Sequence, residues 1–285
     1  MKLATIREPD GAERVAVVHA WRGIALLRDV MKGATGTIPD LLADGCLSGL
    51  AEAVAEAPDT VFRPDAHFVA PYRHPRKIWG IGLNYVEHAA DLSETVPGEP
   101  ASFLKADHTI IGPGDPIPVP YQSERTTAEA ELGLVIGREC YGVPEDRALD
   151  YVAGVCPVLD QTAEDILERN PRFLTRSKHF PGFFSFGPTI TLFGGRLRRE
   201  DVGQLQVSTV LNGQVARTNS VANMRFSPAF LVSFHSQMMP LYPGDIISTG
   251  TPGAVQIRPG DRAECRITGL DVLCNPVVAG VAPAR

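Results

Sequence analysis

The chain has 285 residues, of which 44% are hydrophobic and 21% charged, with a formal net charge of -6. That is an ordinary globular composition, long enough for one large core and a small satellite unit, and its acidity argues against nucleic acid or an anionic membrane as partner, leaving a small ligand. Five cysteines (Cys46, Cys140, Cys156, Cys265, Cys274) are odd in number and never form a CxxC pair, so neither a disulfide scaffold nor a zinc site is expected; no segment reaches membrane-spanning length, and a reducing cytoplasm is the expected compartment.

Residues 1 to about 70 predict short strands over 2–6, 16–20 and 23–27 around the turn Pro9-Asp10-Gly11. An Ala-rich helix is predicted near residues 47–55, after which Pro58, Pro64 and Pro71 keep the chain extended. We therefore expect a small N-terminal unit with a linker over residues 1–72 and a larger unit over 73–285. The larger unit opens on an apolar strand from Lys77 that enters Gly80-Ile81-Gly82. A dinucleotide fingerprint is the alternative there, and it fails because Tyr85 stands where a third glycine is needed and no alternating strand and helix pattern follows.

Asn84 can cap a short helix carrying His88 and Asp91, three apart on one face, and the Gly, Pro, Ser and acidic residues up to Pro100 suggest a loop that opens and closes. A strand returns over 101–105. Three Pro-Gly-Asp turns, at 113–115, 243–245 and 259–261, punctuate a β-rich remainder. Asn212-Gly213 between two alternating segments is a hairpin signal, and Ser227-Pro228 opens a helix to roughly Gln237. Strands over 246–251 and 263–267 complete the inventory.

Glu129 and Glu131, in Ala128-Glu129-Ala130-Glu131-Leu132, project together on a strand, and two such carboxylates beside an apolar run repel unless a cation lies between them. An edge strand with a solvated acidic face is the competing explanation. Asp160 ends the apolar run Val155-Cys156-Pro157-Val158-Leu159. It either joins the two glutamates in an all-oxygen set suited to Mg²⁺ or Mn²⁺, or caps a following helix. Lys178 is an ordinary surface lysine by default, but beside a bound anion it would stabilise developing negative charge. His88 could activate a water with Asp91 orienting its ring. There is no Gly-x-Ser-x-Gly elbow and no His-Glu-x-x-His motif.

Taken in order, Gly82-Leu83-Asn84-Tyr85-x-x-His88, Phe103-Leu104-Lys105, Glu129-x-Glu131-Leu132, Asp160-x-Thr162-Ala163-x-Asp165, Lys178 and Thr249-Gly250-Thr251-Pro252 resemble the fumarylacetoacetate hydrolase superfamily, from about Arg76 to Pro276. The resemblance implies a β-rich α+β fold, a mixed β-sandwich roll with a small N-terminal α/β unit, assembled as a homodimer. It implies that Glu129, Glu131 and Asp160 hold Mg²⁺, with Mn²⁺ or Ca²⁺ as alternatives. It further implies that Lys178 lies near the substrate, that His88 and an acidic partner activate water, and that Lys105 and Thr251 line the pocket, to which we add Tyr85 and Gln161.

The implied activity is metal-dependent hydrolysis of a carbon–carbon bond in a 1,3-dicarbonyl or acylpyruvate-like compound, an oxo acid or diketone. Decarboxylation or keto-enol isomerisation of a 2-oxo acid through the same enolate is the alternative, and a non-catalytic metal-stabilised binding protein is the alternative from another class. The chain departs from the family pattern in three places. Asp91 stands where many members carry Glu, Glu164 where acylpyruvase-like members carry an Arg that helps hold a substrate carboxylate, and Leu167 where they carry Gln. The second departure puts a dicarboxylate substrate in doubt, with Arg172 or Arg176 as candidate substitutes.

Overall fold

A computed structural model describes residues 1–85, 98–172 and 174–282. Short alternating or apolar runs separated by turn residues make it strand-rich. In chain order the strands are β1 (Lys2–Arg7), β2 (Glu13–His19), β3 (Gly23–Leu26), β4 (His67–Val69), β5 (Ile78–Gly82) and β6 (Ala101–Lys105). Next come β7 (Ile110–Ile111), β8 (Ile117–Val119), β9 (Thr126–Ile136), β10 (Val152–Ala163), β11 (Phe184–Phe186) and β12 (Ile190–Leu192). The last are β13 (Gln206–Leu211), β14 (Gln214–Ser220), β15 (Ile246–Ser248), β16 (Val255–Ile257), β17 (Arg262–Ile267) and β18 (Leu273–Ala279).

Among the described residues one sheet follows the path β3-β2-β1-β12-β10-β9-β15-β5-β6, with β4, β7, β11 and β16 attached beside it, and β14-β13-β17-β18-β8 form a second. The N-terminal strands enter the larger sheet where β1 pairs with β12, Leu3 opposite Ile190. The chain is thus a mixed α+β, strand-rich protein, as expected. No described helix is long and apolar enough to cross a membrane.

The long antiparallel pair β9 and β10 forms the middle of the large sheet, and every residue of β9 is buried. That removes the edge-strand explanation for Glu129 and Glu131. Alternation divides β9 between two cores. Ala128, Ala130, Leu132 and Leu134 pack with Val207, Cys265 and Leu273 of the second sheet. On the opposite face Val135 joins Val158, Phe184 and Phe186, with Leu3, Val17, Leu41 and Leu50 of the N-terminal segment. The two glutamates belong to this second face.

The turn chemistry is realised closely. In each Pro-Gly-Asp turn the aspartate accepts the backbone N–H three residues earlier: Gly112 to Asp115 at 2.8 Å, Tyr242 to Asp245 at 2.8 Å and Arg258 to Asp261 at 2.7 Å. Asn212 and Gly213 take φ of 52° and 82°, the left-handed pair a tight hairpin requires. Ser227 accepts from Phe230 N at 3.0 Å and caps the helix Pro228–Met238.

Three local expectations change. The helix expected near 47–55 starts at Leu50, and an unpredicted helix, Ile38–Ala43, is started by a reciprocal cap between Thr37 and Asp40. Asp160 caps nothing, because β10 runs on to Ala163 before the helix Glu164–Arg169 begins.

Asn84 does more than a helix cap requires. Its buried amide accepts from Phe226 N at 2.8 Å and donates to Thr249 O at 2.8 Å and Phe226 O at 3.1 Å, tying the turn after β5 to two distant segments. The helix it was expected to start, with His88 and Asp91, lies outside the described residues. Asn84→Ala leaves buried backbone groups without partners, so urea unfolding should show a loss of about 2–4 kcal/mol. A loss under about 0.5 kcal/mol, the range of an uninvolved surface site, would contradict this role.

Candidate metal centre

The register of β9 on β10 decides which side chains meet. Glu129 lies opposite Asp160 and Thr127 opposite Thr162, while Glu131 is opposite Val158. These side chains therefore share one face. Oxygens of Glu129, Glu131 and Asp160 all come within 4.8 Å of one another, and all three residues are buried.

Three carboxylates this close need counter-charge, and two lysines supply part of it. Lys105 Nζ, at the end of β6, is 2.5 Å from Asp160 Oδ1. Lys178 Nζ, at the end of the helix Leu174–Lys178, is 2.5 Å from Asp160 Oδ2 and 2.9 Å from Glu129 Oε2. Burial opposes the charge on Asp160, but Lys105 and then Lys178 outweigh it and hold its carboxyl below the usual range. Burial also opposes the charge on Lys178, yet Asp160, Glu129 and Glu131 together raise its pKa above that of a free lysine. For Lys105 the balance tips the other way: burial wins over Asp160, and Lys178 adds repulsion. We attribute the contrast to geometry, since Lys178 faces two of the carboxylates and Lys105 only one.

Glu131 has no ion pair of its own among the described residues, and burial followed by repulsion from Asp160 pushes its pKa well up. One of its oxygens is fixed by Ser248 Oγ at 2.5 Å and Gly250 N at 2.9 Å. One oxygen of Glu129 is fixed by the Thr162 hydroxyl and by Thr127 Oγ1 at 3.2 Å. Outer hydrogen bonds of this kind orient ligand carboxylates toward an ion. The donor set is all oxygen, and with Glu131 ionised three carboxylates face two ammonium groups, one negative charge in excess, which burial and Asp160 oppose. A hard divalent cation fits that arrangement and would relieve it.

The remaining candidates occupy distinct places. Lys178 Nζ lies 5.1 Å from the centroid of the Phe103 ring. Phe103 covers Gly80, where a Cβ would come within 2.3 Å of the ring, so that glycine seats an aromatic and not a phosphate. Thr251 is buried just past Gly250, its hydroxyl accepting from Gly253 N at 3.2 Å. Tyr85 is fully buried, and burial and then Glu131 raise its hydroxyl pKa. Gln161 is not brought to the carboxylates: it follows Asp160 on a regular strand and so faces the second sheet, where its amide has no hydrogen-bond partner among the described residues. His88 and Asp91 lie outside the described residues. Arg172 and Arg176 are exposed, and the guanidinium that meets Glu164 is Arg125, its Nε 3.1 Å from the Glu164 carboxylate.

Sequence reasoning missed Thr127 and Ser248, and gave no role to Thr162 and Gly250 although both stand in the quoted motifs. The two threonines carried a usable signal, since each lies two residues from a carboxylate on a strand. Ser248 and Gly250 are more than a hundred residues from Glu131, and nothing local ties either to that carboxylate.

The fold is shared with known proteins. The 5-carboxymethyl-2-hydroxymuconate delta-isomerase of Mycobacterium smegmatis is 28% identical, with a TM-score of 0.77 over 99% of this chain and 100% of that one. Fumarylacetoacetate hydrolase of Exiguobacterium antarcticum is 27% identical, with a TM-score of 0.81 over 98% of this chain and 99% of that one. Maleylpyruvate hydrolase of Sphingobium sp. SYK-6, in complex with manganese (II) ion and pyruvate, is 26% identical, with a TM-score of 0.79 over 99% of this chain and 100% of that one. Residues 77–278 match the family described as Fumarylacetoacetate (FAA) hydrolase C-terminal, and with more than half of its length inside that match the chain belongs to the fumarylacetoacetate hydrolase family.

Proposed function

We propose that this chain is a divalent-metal-dependent hydrolase that cleaves a carbon–carbon bond in a 1,3-dicarbonyl or acylpyruvate-like oxo acid. The observation that carries the reading is the buried set of Glu129, Glu131 and Asp160 with Lys178 across two of its members. The likeness to a maleylpyruvate hydrolase in complex with manganese and pyruvate supports it. Glu129, Glu131 and Asp160 would hold Mg²⁺ or Mn²⁺, which when bound would polarise a substrate carbonyl.

The chain's own residues divide the remaining work. Lys178 Nζ, kept charged by its carboxylate neighbours, stands ready to balance the negative charge of an enolate leaving group. Lys105 holds Asp160 and also donates to Lys178 O at 2.7 Å, which fixes the end of the helix carrying Lys178. His88, oriented by Asp91, is the proposed base that takes a proton from water as its oxygen attacks the acyl carbon. The carbon–carbon bond then breaks, and its electron pair leaves as the enolate.

A second reading, isomerisation or decarboxylation through the same enolate, is favoured by the likeness to a delta-isomerase. Incubating chelator-treated protein with an acylpyruvate, before and after adding Mg²⁺ or Mn²⁺, separates the two. Equal amounts of pyruvate and free acid, only after metal is restored, are the expected result. Release of CO₂, or a change in enol absorbance alone, replaces hydrolysis with the second reading. Absence of any turnover leaves a binding protein.

A further inference from the structure

A cleft of about 670 Å³ lies between the helix Ile38–Ala43 and the Pro-Gly-Asp turn at 243–245, and it shares no lining residue with the metal centre. Its two sides differ in character. Pro39, Leu42 and Ala43 line it from the helix, and Pro39 also abuts the turn, where a Cβ on Gly244 would come within 2.6 Å of the proline ring. Helix and turn are therefore in direct contact, which holds the two sides at a set separation.

The facing side carries Arg76 and Arg138. Arg76 lies over the Tyr242 ring, 4.2 Å from its centroid, and Arg138 over the Tyr151 ring at 4.4 Å. A guanidinium held by its face keeps the N–H donors on its edge for a partner in the plane. Among the described residues neither arginine forms an ion pair that would use them. The other basic side chains of the cleft are occupied, Arg73 by Glu13 at 3.4 Å and His74 by Asp107 at 2.8 Å. Of the acids there, Asp40 is turned to Thr37, accepting from its N at 2.8 Å and Oγ1 at 2.6 Å. Two uncommitted guanidinium edges thus face one uncommitted carboxylate, Glu139. In a chain with a net charge of -6, that is a local reversal of sign.

We propose that this cleft is a ligand site separate from the metal centre, and that it takes a small organic oxyanion. A carboxylate or phosphate group is held by the edges of Arg76 and Arg138, and the apolar body that carries it lies against Pro39, Leu42 and Ala43. A bare inorganic ion uses only one of the two sides. The site does not depend on which reaction the metal centre performs.

The test is titration calorimetry of the full chain, with Mg²⁺ present, against phenyl phosphate, benzoate and inorganic phosphate. At least one of the organic anions should bind, and inorganic phosphate should bind about tenfold or more weakly, because it leaves the apolar side unused. Binding of phenyl phosphate alone names a phosphate monoester as the head group, and binding of benzoate names a carboxylate. Arg76→Met and Arg138→Met should each weaken the organic anion by about tenfold or more. Arg258→Met removes the same charge from an exposed arginine outside the cleft and should change affinity by less than about twofold. All three arginines are exposed, so the variants should fold. Cleft variants that bind within about twofold of wild type place the anion elsewhere and overturn the proposal. Equal affinity for inorganic and phenyl phosphate overturns it too, as does no binding of either organic anion up to about 10 mM.

Discussion

Glu131→Gln should leave the protein folded and lower its divalent-cation affinity by at least about a hundredfold, the upper end of what loss of an outer-shell partner alone causes. The substitution keeps an acceptor where Ser248 Oγ and Gly250 N donate and removes only the charge. That charge is the one the fold accommodates least well, since burial and Asp160 both work against it and no ammonium pairs with it among the described residues. Without metal, the variant should therefore unfold at the same temperature as wild type or higher. Glu131→Ala is the poorer probe. It leaves two buried donors without an acceptor, at about 1–3 kcal/mol each, and so confounds ligand loss with instability. Titration calorimetry with Mn²⁺ and melting curves in chelator read the two effects separately. Undiminished affinity in a folded Glu131→Gln protein would remove this residue from the ligand set.

Glu131 also illustrates which parts of the site are legible in the sequence. That Glu129 and Glu131 share a face follows from a period of two and needs no partner. For Asp160 the residues left two readings open, a third ligand or a helix cap, because the register that sets it opposite Glu129 depends on a β10 that does not stop where its apolar run does. Gln161 shows the limit of adjacency: its place next to Asp160 suggested the pocket, and the same alternation that unites the carboxylates turns it to the other side of the sheet.

Asn84 has partners of another kind. A cap is a local satisfaction of backbone groups, whereas the amide of Asn84 also reaches Phe226 and Thr249, more than a hundred residues away. Gly80 reads locally as part of a phosphate-binding turn, whereas its cause is the Phe103 ring on the neighbouring strand. The cap at Thr37 and Asp40 was visible in sequence, but aspartate takes the place of the usual Glu or Gln and the helix is barely two turns long. Turn chemistry and strand alternation are short-range and were readable; what closes around a buried charge comes from across the fold.

Lys178→Met separates counter-charge from chemistry. In chelator, the substitution leaves Asp160, among the described residues, with Lys105 alone and Glu129 with no ammonium contact, so a buried ion network loses one partner while keeping its volume. Breaking such a network by removing one member typically costs about 3–5 kcal/mol. A divalent cation that binds the native carboxylates should return part of this, about 2.7 kcal/mol at a free concentration a hundredfold above its dissociation constant. The variant should therefore show a larger metal-dependent rise in its urea midpoint than wild type does. Restored stability should not restore the reaction. An ammonium that balances an enolate acts in the transition state, so kcat should stay down by about 10²–10³ with KM little changed. If metal rescues stability and turnover together, Lys178 is only a counter-ion for the empty carboxylates, and the charge on the leaving group must be balanced from elsewhere. If metal rescues neither, Glu129 and Asp160 are held by Lys178 as a fixed structural network, and the cation belongs at a different set of oxygens.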